Sequence, residues 1–332
     1  MKFTSMLALG ALTAASLGAQ SSQCLSQPVV ARDACQRGTD LFLMLAPQLS
    51  GAIAGGGAVL GTARTVNGFS LAVRLNVVEG QLPDRSVLAF STTGIVQSTI
   101  STRRAPIPVP TLDATLSLIP GFTVGRQKIL SVDALVNMTY VPTSNLEDFS
   151  VGPAKSAVKA GYGTRVGLLA DTRFTPAVSV SYVRRTLPTS NIATSVPINA
   201  AGSSQRDSMT LSELSLRTDA TRLSISKRLG FLEIGGGAGQ DRYRGFSQLR
   251  TRVTTVVFGA PRVPVESAYV VTQELVRSSA YASLGLTVGR VQLGAEAGST
   301  FGGDSVQTYN RFADGKLSAS RRFGSAGLRV RF

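Results

Sequence analysis

Eleven charged side chains sit at positions that strand alternation sends to one face of a sheet. They are Arg74, Asp133, Lys159, Arg165, Arg222, Arg228, Glu233, Arg277, Glu296, Arg329 and Arg331. Eight are basic and three acidic, so a passage lined by them would favour anionic solutes. Packed into a narrow bore, the same residues would pair across it and fill it. Glu233 and Glu296 have the type needed for a catalytic carboxylate pair. They occupy corresponding places in two similar hairpins, however, so matched structural salt bridges are the better reading.

The chain contains no histidine. That removes serine–histidine and cysteine–histidine catalysis and the usual general base near neutral pH. It also leaves the two cysteines without companions for a metal site. Neither Gly55-Gly56-Gly57 nor Gly235-Gly236-Gly237 is followed by the Lys-Ser/Thr of a phosphate loop; in strands they mark bends or thin spots. We therefore expect no catalytic residues, no metal and no cofactor.

Lys and Arg number 34 against 19 acidic residues, a net charge of +15. A cationic chain can bind nucleic acid. Here the basic residues are spread through alternating segments, with no basic run or recognition motif, and no nucleic-acid partner is expected.

The elements that must position these charges read as strands. In Phe69 to Val77, Phe69, Leu71, Val73, Leu75 and Val77 share one face and Ser70, Ala72, Arg74 and Asn76 the other. Asn67-Gly68 precedes it, and the spacing predicts a two-residue hairpin with a strand over Ala58 to Val66. Alternation returns from Ile129, with Leu130, Val132, Val136, Met138 and Tyr140 opposite Ser131, Asp133, Asn137 and Thr139. Further strands follow around Val158 to Leu168 and Val178 to Tyr182. Two similar hairpins turn at Leu229-Gly230 and Val288-Gly289, with polar connections over about 244–267 and 302–316. Residues 79–128 carry Pro83, Pro106, Pro108, Pro110 and Pro120, and read as a lumenal or surface excursion. Tyr140, Tyr182, Tyr243, Phe301 and Phe332 sit near expected strand ends, where interfacial rings are favoured.

At the amino terminus, Lys2, the apolar run Met6 to Leu17 and Leu17-Gly18-Ala19 read as a secretory signal peptide over residues 1–19, cut after Ala19. Export places Cys24 and Cys35 in an oxidising compartment, where a local disulfide is expected. Leu41 to Ala63 is uncharged. Pro47 and the glycine block argue against a single membrane-spanning helix, and a short helix over about Thr39 to Ala54 at or inside a barrel mouth is preferred.

The last strand alternates Leu328, Val330 and Phe332 with Arg329 and Arg331, and finishes on Phe332. With the leader and the strand pattern, it resembles the closing strand of Gram-negative outer-membrane β-barrels. The helix-then-hairpin opening also resembles a group of uncharacterised bacterial barrels. The resemblance implies an all-β protein, a single antiparallel transmembrane barrel of about ten strands, with eight or twelve as alternatives, and both chain ends in the periplasm. It divides the chain into the leader, a plug or periplasmic segment over 20–56 and a barrel over 57–332. It implies Phe332 as an assembly signal read by the barrel-assembly machinery. Outer-membrane lipid and lipopolysaccharide are the expected partners, and outer-facing loops and the lumen the home for the positive charge. Two functions follow: a closed structural or surface-interaction barrel, or a passive channel or transporter for anionic or hydrophobic small solutes. Known enzymatic barrels of this kind rely on histidine, so this chain departs from them.

Overall fold

A computed structural model describes residues 20–332 apart from 85–89, 142, 147–148, 198–205, 258–259, 262, 314–316 and 318. The expected leader lies outside the described residues. Ten antiparallel strands form the wall: β1 (Phe69–Pro83), β2 (Thr102–Ile119), β3 (Gln127–Tyr140), β4 (Val158–Leu169), β5 (Ala177–Thr186), β6 (Arg206–Leu229), β7 (Leu232–Val253), β8 (Val265–Val288), β9 (Val291–Phe301) and β10 (Arg321–Arg331). Each pairs with its sequence neighbour, and β10 returns to β1 with Leu71 opposite Val330 and Val73 opposite Leu328. The ring therefore closes, which removes the open edges an isolated sheet would carry.

Alternation sets the faces as expected. Leu71, Val73 and Leu75 on β1 are exposed outward while Ser70, Arg74 and Asn76 are buried inward. The same holds for Val136 and Met138 against Asp133 and Asn137 on β3, and for Leu223 and Ile225 against Arg222 and Ser224 on β6. One end of the barrel carries short turns, with Gly230 and Gly289 at positive φ. The other carries the long connections and the extended tips of β6, β7 and β8.

Three expectations need correction. Residues 102–119, read as an excursion because of their prolines, form a wall strand. Pro106, Pro108 and Pro110 fall on alternate positions where β2 pairs with β1, whereas its pairing with β3 begins only at Thr111. Their missing N–H groups therefore line an unpaired edge, where proline costs no ladder bond. The polar connection placed over about 244–267 is mostly strand, since β7 and β8 stay paired as far as Val253 and Val265. The Asn67-Gly68 hairpin is absent as well. Ala58–Val66 makes no strand and runs inside the barrel, and Gly68 only turns the chain into β1, at φ +97°.

A short helix, α1 (Ser22–Leu25), stands largely exposed at the long-loop end, and a long one, α2 (Val29–Ala54), tied to it by the Cys24–Cys35 disulfide, runs from there into the barrel. The amino-terminal end of the described residues is thus at the rim opposite Phe332, and not beside it as the resemblance implied. α2 begins ten residues before the expected helix because its first turns gain partners among the long loops. It is buried on every side, with Leu41, Phe42, Met44 and Ile53 packed on Leu214, Leu216, Leu249 and Val271 of the wall. A helix buried all round lacks the one-sided stripe of a surface helix, which explains its weak sequence signal. Gly38 sits where a Cβ would meet Leu249 Cδ2 at 2.3 Å, so the helix can lie this close to β7 only without a side chain there.

Candidate functional site

The residues singled out by alternation converge on the segment that follows α2. From the helix end, residues 55–66 descend through the lower half of the lumen to the short-turn end, buried for most of their length. Being irregular, this stretch has no helix or ladder partners of its own. Its buried amides and carbonyls must find others.

The wall supplies them, charge by charge. Arg185 donates to Ala54 O, Arg74 to Gly57 O at 3.0 Å, Arg329 to Leu60 O and Arg165 to Thr62 O at 3.3 Å. The carboxylates take the donors. Glu296 accepts from Gly57 N at 2.9 Å and Gly61 N at 3.4 Å, and Asp133 from Val66 N at 3.1 Å. Glu233 accepts from the Thr62 hydroxyl and from Ser226 Oγ, which in turn receives Ala63 N. The pattern continues up α2. Tyr269 OH donates to Cys35 O at 2.6 Å and Thr218 Oγ1 to Ser50 O at 3.2 Å. Pro47 removes the amide that would bond Leu43 O, and Gln273 Nε2 reaches that carbonyl at 3.2 Å instead.

Two glycines permit the close approach. A Cβ on Gly56 would stand 2.2 Å from Glu296 Oε2. Gly61, at φ +70°, lies against the backbone of β8 and β9, where a Cβ would meet Leu284 O at 3.1 Å.

Within the wall several of these charges also pair. Arg165 meets Asp133 at 2.6 Å and Arg74 meets Asp113 at 2.9 Å, while Arg222 pairs with Asp241. Burial makes lone charges very costly, so pairing plus backbone contacts is the arrangement that tolerates them. Among the described residues Glu233 and Glu296 form no reacting pair and no matched salt bridges; each grips the threaded segment. Arg277 is buried higher up and bonds Asp304 O and Ala319 O, and Arg331 donates to Gln292 Oε1 at 2.7 Å. Lys159 and Arg228 share the inward phase but lie exposed at the rims, Arg228 donating to Gly230 O.

Sequence reasoning missed Arg185, Asp113 and Asp241. Arg185 was legible from phase, since Val180 and Tyr182 face out and odd-numbered neighbours therefore face in. Asp113 lay in the proline-rich stretch read as an excursion. It also missed the upper latch. Asp33 accepts from Ser91 N at 2.8 Å and Val96 N at 3.0 Å, and Asp40 from Asn310 N at 2.9 Å and Asn310 Nδ2 at 2.7 Å. These two helix carboxylates tie the segments around Ser91 to Val96 and Tyr309 to Asn310 onto α2. Tyr243, placed among interfacial rings, is instead buried in the lumen; Tyr140, Tyr182, Phe301 and Phe332 are exposed as expected.

No family model matches the chain, and no curated protein does. Among solved structures it is similar to Neisserial surface protein A, at 10% identity and a TM-score of 0.26, covering 81% of this chain and 100% of that one. It is also similar to the β domain of the Bordetella autotransporter BrkA, at 11% and 0.35, covering 80% and 100%. The translocator domain of the autotransporter NalP from Neisseria meningitidis gives 12% and 0.35, covering 80% and 89%. These likenesses are too remote to carry an argument about function, and the fold rests on the strand pairing itself.

Proposed function

We propose that this is a non-enzymatic outer-membrane β-barrel whose lumen is stoppered by its own amino-terminal segment, and that it serves as a rigid structural or surface-interaction body. The membrane reading is supported by the outward face. Ten residues separate Phe332, at the end of β10, from Arg322, and ten separate Phe69 from Glu79 on β1, with apolar or uncharged outward positions between. At about 3.3 Å per residue and a tilt near 40°, each run is about 25 Å tall, the height of the apolar band on such barrels. On that reading the short turns face the periplasm and the long loops face outward.

One observation carries the stopper. Wall side chains meet backbone carbonyls at 35, 43, 50, 54, 57, 60 and 62 in turn. A lumen built to conduct would leave its arginines facing water; here they are spent on the threaded backbone. Beside that segment the wall encloses a cavity of about 10 Å³ between Ala58, Asp113 and Arg185, no larger than one water. Because the chain runs downward, the cap formed by α1, the disulfide and the upper half of α2 stands among the outer loops.

Planar-bilayer recording of the refolded chain tests this. A silent bilayer, with insertion shown by heat-modifiable mobility, is expected. A stable ohmic conductance from the inserted wild type would replace the stopper with a channel.

A further inference from the structure

The lumen accounts for the inward charges but not for a second set that faces outward. On five adjoining strands, β4 to β8, one row of outward positions holds Tyr162, Arg184, Asp219 with Arg217, Arg242 with Arg244, and Glu274, each opposite the next in register. Asp219 binds Arg184 at 2.6 Å, Arg244 at 3.3 Å and Arg217 at 3.6 Å; Glu274 binds Arg242 at 2.6 Å and Arg244 at 3.3 Å. Arg184 also stacks over the Tyr162 ring at 5.7 Å.

Four guanidinium groups against two carboxylates leave a local charge of 4 − 2 = +2. At the same level on the opposite side of the barrel the cluster is smaller, Glu79 meeting Arg104 at 3.5 Å with Arg322 lining the same patch. Below the row the next outward residues are uncharged on these strands, first Thr221, Gln240, Val276 and Ser278, and then apolar Val180, Leu223, Ile225, Leu284 and Leu286. The cluster therefore lies at the edge of the hydrocarbon, on the long-loop side. Exposed ion pairs of this kind contribute little stability. What they do achieve is to hold several arginine forks side by side: Arg184 is fully engaged by Asp219, Tyr162 and Tyr182, whereas Arg217 and Arg242 meet their carboxylates through Nε and Arg244 through Nε and Nη1.

From this geometry we infer that the row is a binding site for the phosphorylated headgroup of a saccharide lipid in the outer leaflet. The inference rests on the membrane reading above. A phosphate monoester carries close to two negative charges and presents oxygens that fit guanidinium forks. Asp219 has already ordered three of those forks, so little side-chain freedom remains to be lost on binding. The lipid's acyl chains would lie down the apolar strip beneath, and Tyr162 and Tyr182 flank the boundary where amphipathic rings are favoured.

The full chain, purified in detergent micelles, is titrated with diphosphoryl lipid A and with the same lipid stripped of phosphate, and retained lipid is read by native mass spectrometry. Wild type should retain the diphosphoryl lipid, and the Arg217→Gln/Arg244→Gln variant should bind it at least about tenfold more weakly. Arg104→Gln, which removes equal charge per residue from the smaller cluster on the opposite side, should bind as wild type does. The phosphate-free lipid should bind wild type no better than the double variant binds the phosphorylated one. Equal retention of the two lipids by wild type overturns the proposal without needing any variant. Undiminished binding by a folded double variant does so too, and full displacement by millimolar inorganic phosphate would make this a free-anion site. Heat-modifiable mobility of the wild type is read in parallel. Its absence sinks the membrane reading, whereas an inserted barrel indifferent to phosphate sinks only the lipid site.

Discussion

Replacing Gly56 with alanine perturbs the stopper at the point where it touches the wall most closely. The new Cβ would lie 2.2 Å from Glu296 Oε2 and 3.0 Å from its Cδ. Carbon and oxygen need about 3.2–3.5 Å, so the carboxylate must retreat by about 1 Å. It cannot do so and keep both of its bonds, to Gly57 N at 2.9 Å and Gly61 N at 3.4 Å. Hydrogen bonds to a charged partner contribute about 1.5–3 kcal/mol each, the longer one less. Against this, alanine restricts the unfolded chain and returns about 0.4–1 kcal/mol. The docked segment should therefore be weakened by about 2–3 kcal/mol, a roughly 30–150-fold rise in its local opening. Hydrogen exchange at the Gly57 and Gly61 amides, in the refolded barrel in micelles, reads this directly. Glu296→Ala should itself raise exchange, and adding Gly56→Ala to it should change little, because the obstructing carboxylate has gone. Full additivity of the two substitutions, or unchanged exchange in Gly56→Ala alone, would refute the reasoning.

Other outcomes follow from the same structure. Leu328 faces outward and is 45% exposed, while Arg329 is buried against Leu60 O. Leu328→Arg should oppose insertion by up to about 2–4 kcal/mol, whereas Arg329→Gln should insert with normal heat-modifiable mobility but a more mobile stopper. Burial pushes the Asp40 carboxyl above its ordinary value of 3.8, against the Asn310 and Tyr309 hydrogen bonds that favour its charge. The folded state then binds the proton more tightly, so this contribution is fully present below 3.8 and fades as pH rises through the shifted value. Intrinsic-rate-corrected exchange at Tyr309 and Asn310 should accelerate over that window, and Asp40→Asn should flatten the dependence. An epitope inserted at Gln20 should be stained on intact cells, since α1 sits at the long-loop end; staining only after permeabilisation would invert the barrel.

The wall was legible because lipid and lumen impose opposite demands on alternate residues. Phe69 to Val77 and Leu328 to Phe332 show the pattern with almost no exception, and strand count and face assignment follow from it. Where a strand carries residues that break the pattern for local reasons, the reading failed. Pro106, Pro108 and Pro110 are tolerated by an unpaired edge that only the finished sheet defines. The extended tips of β6, β7 and β8 are polar on one face and covered by α2 on the other, so they resemble loops.

The stopper was hidden for a different physical reason. Ala58 to Val66 carries a single charge, Arg64, and reads much as a thin-walled strand would, and Asn67-Gly68 supplies a credible turn. What separates a wall strand from a threaded segment is where its backbone bonds go, and composition does not record that. The charges do record it, indirectly. Arg74, Arg165, Arg185 and Arg329 face a bore too narrow to hydrate them all, with three carboxylates, Asp133, Glu233 and Glu296, aimed into the same space. Wall pairs consume part of that set: Arg165 with Asp133, Arg74 with Asp113. Yet Arg185 and Arg329 have no carboxylate within ion-pair distance among the described residues, and they donate to Ala54 O and Leu60 O instead. A buried guanidinium requires acceptors, and a lumen that offers arginines without matching carboxylates requires a backbone to fill it. On this argument the inward charges left without an opposite partner on the wall, Arg185, Arg329, Glu233 and Glu296, are the imprint of the segment that occupies the lumen, and need no transported anion to explain them.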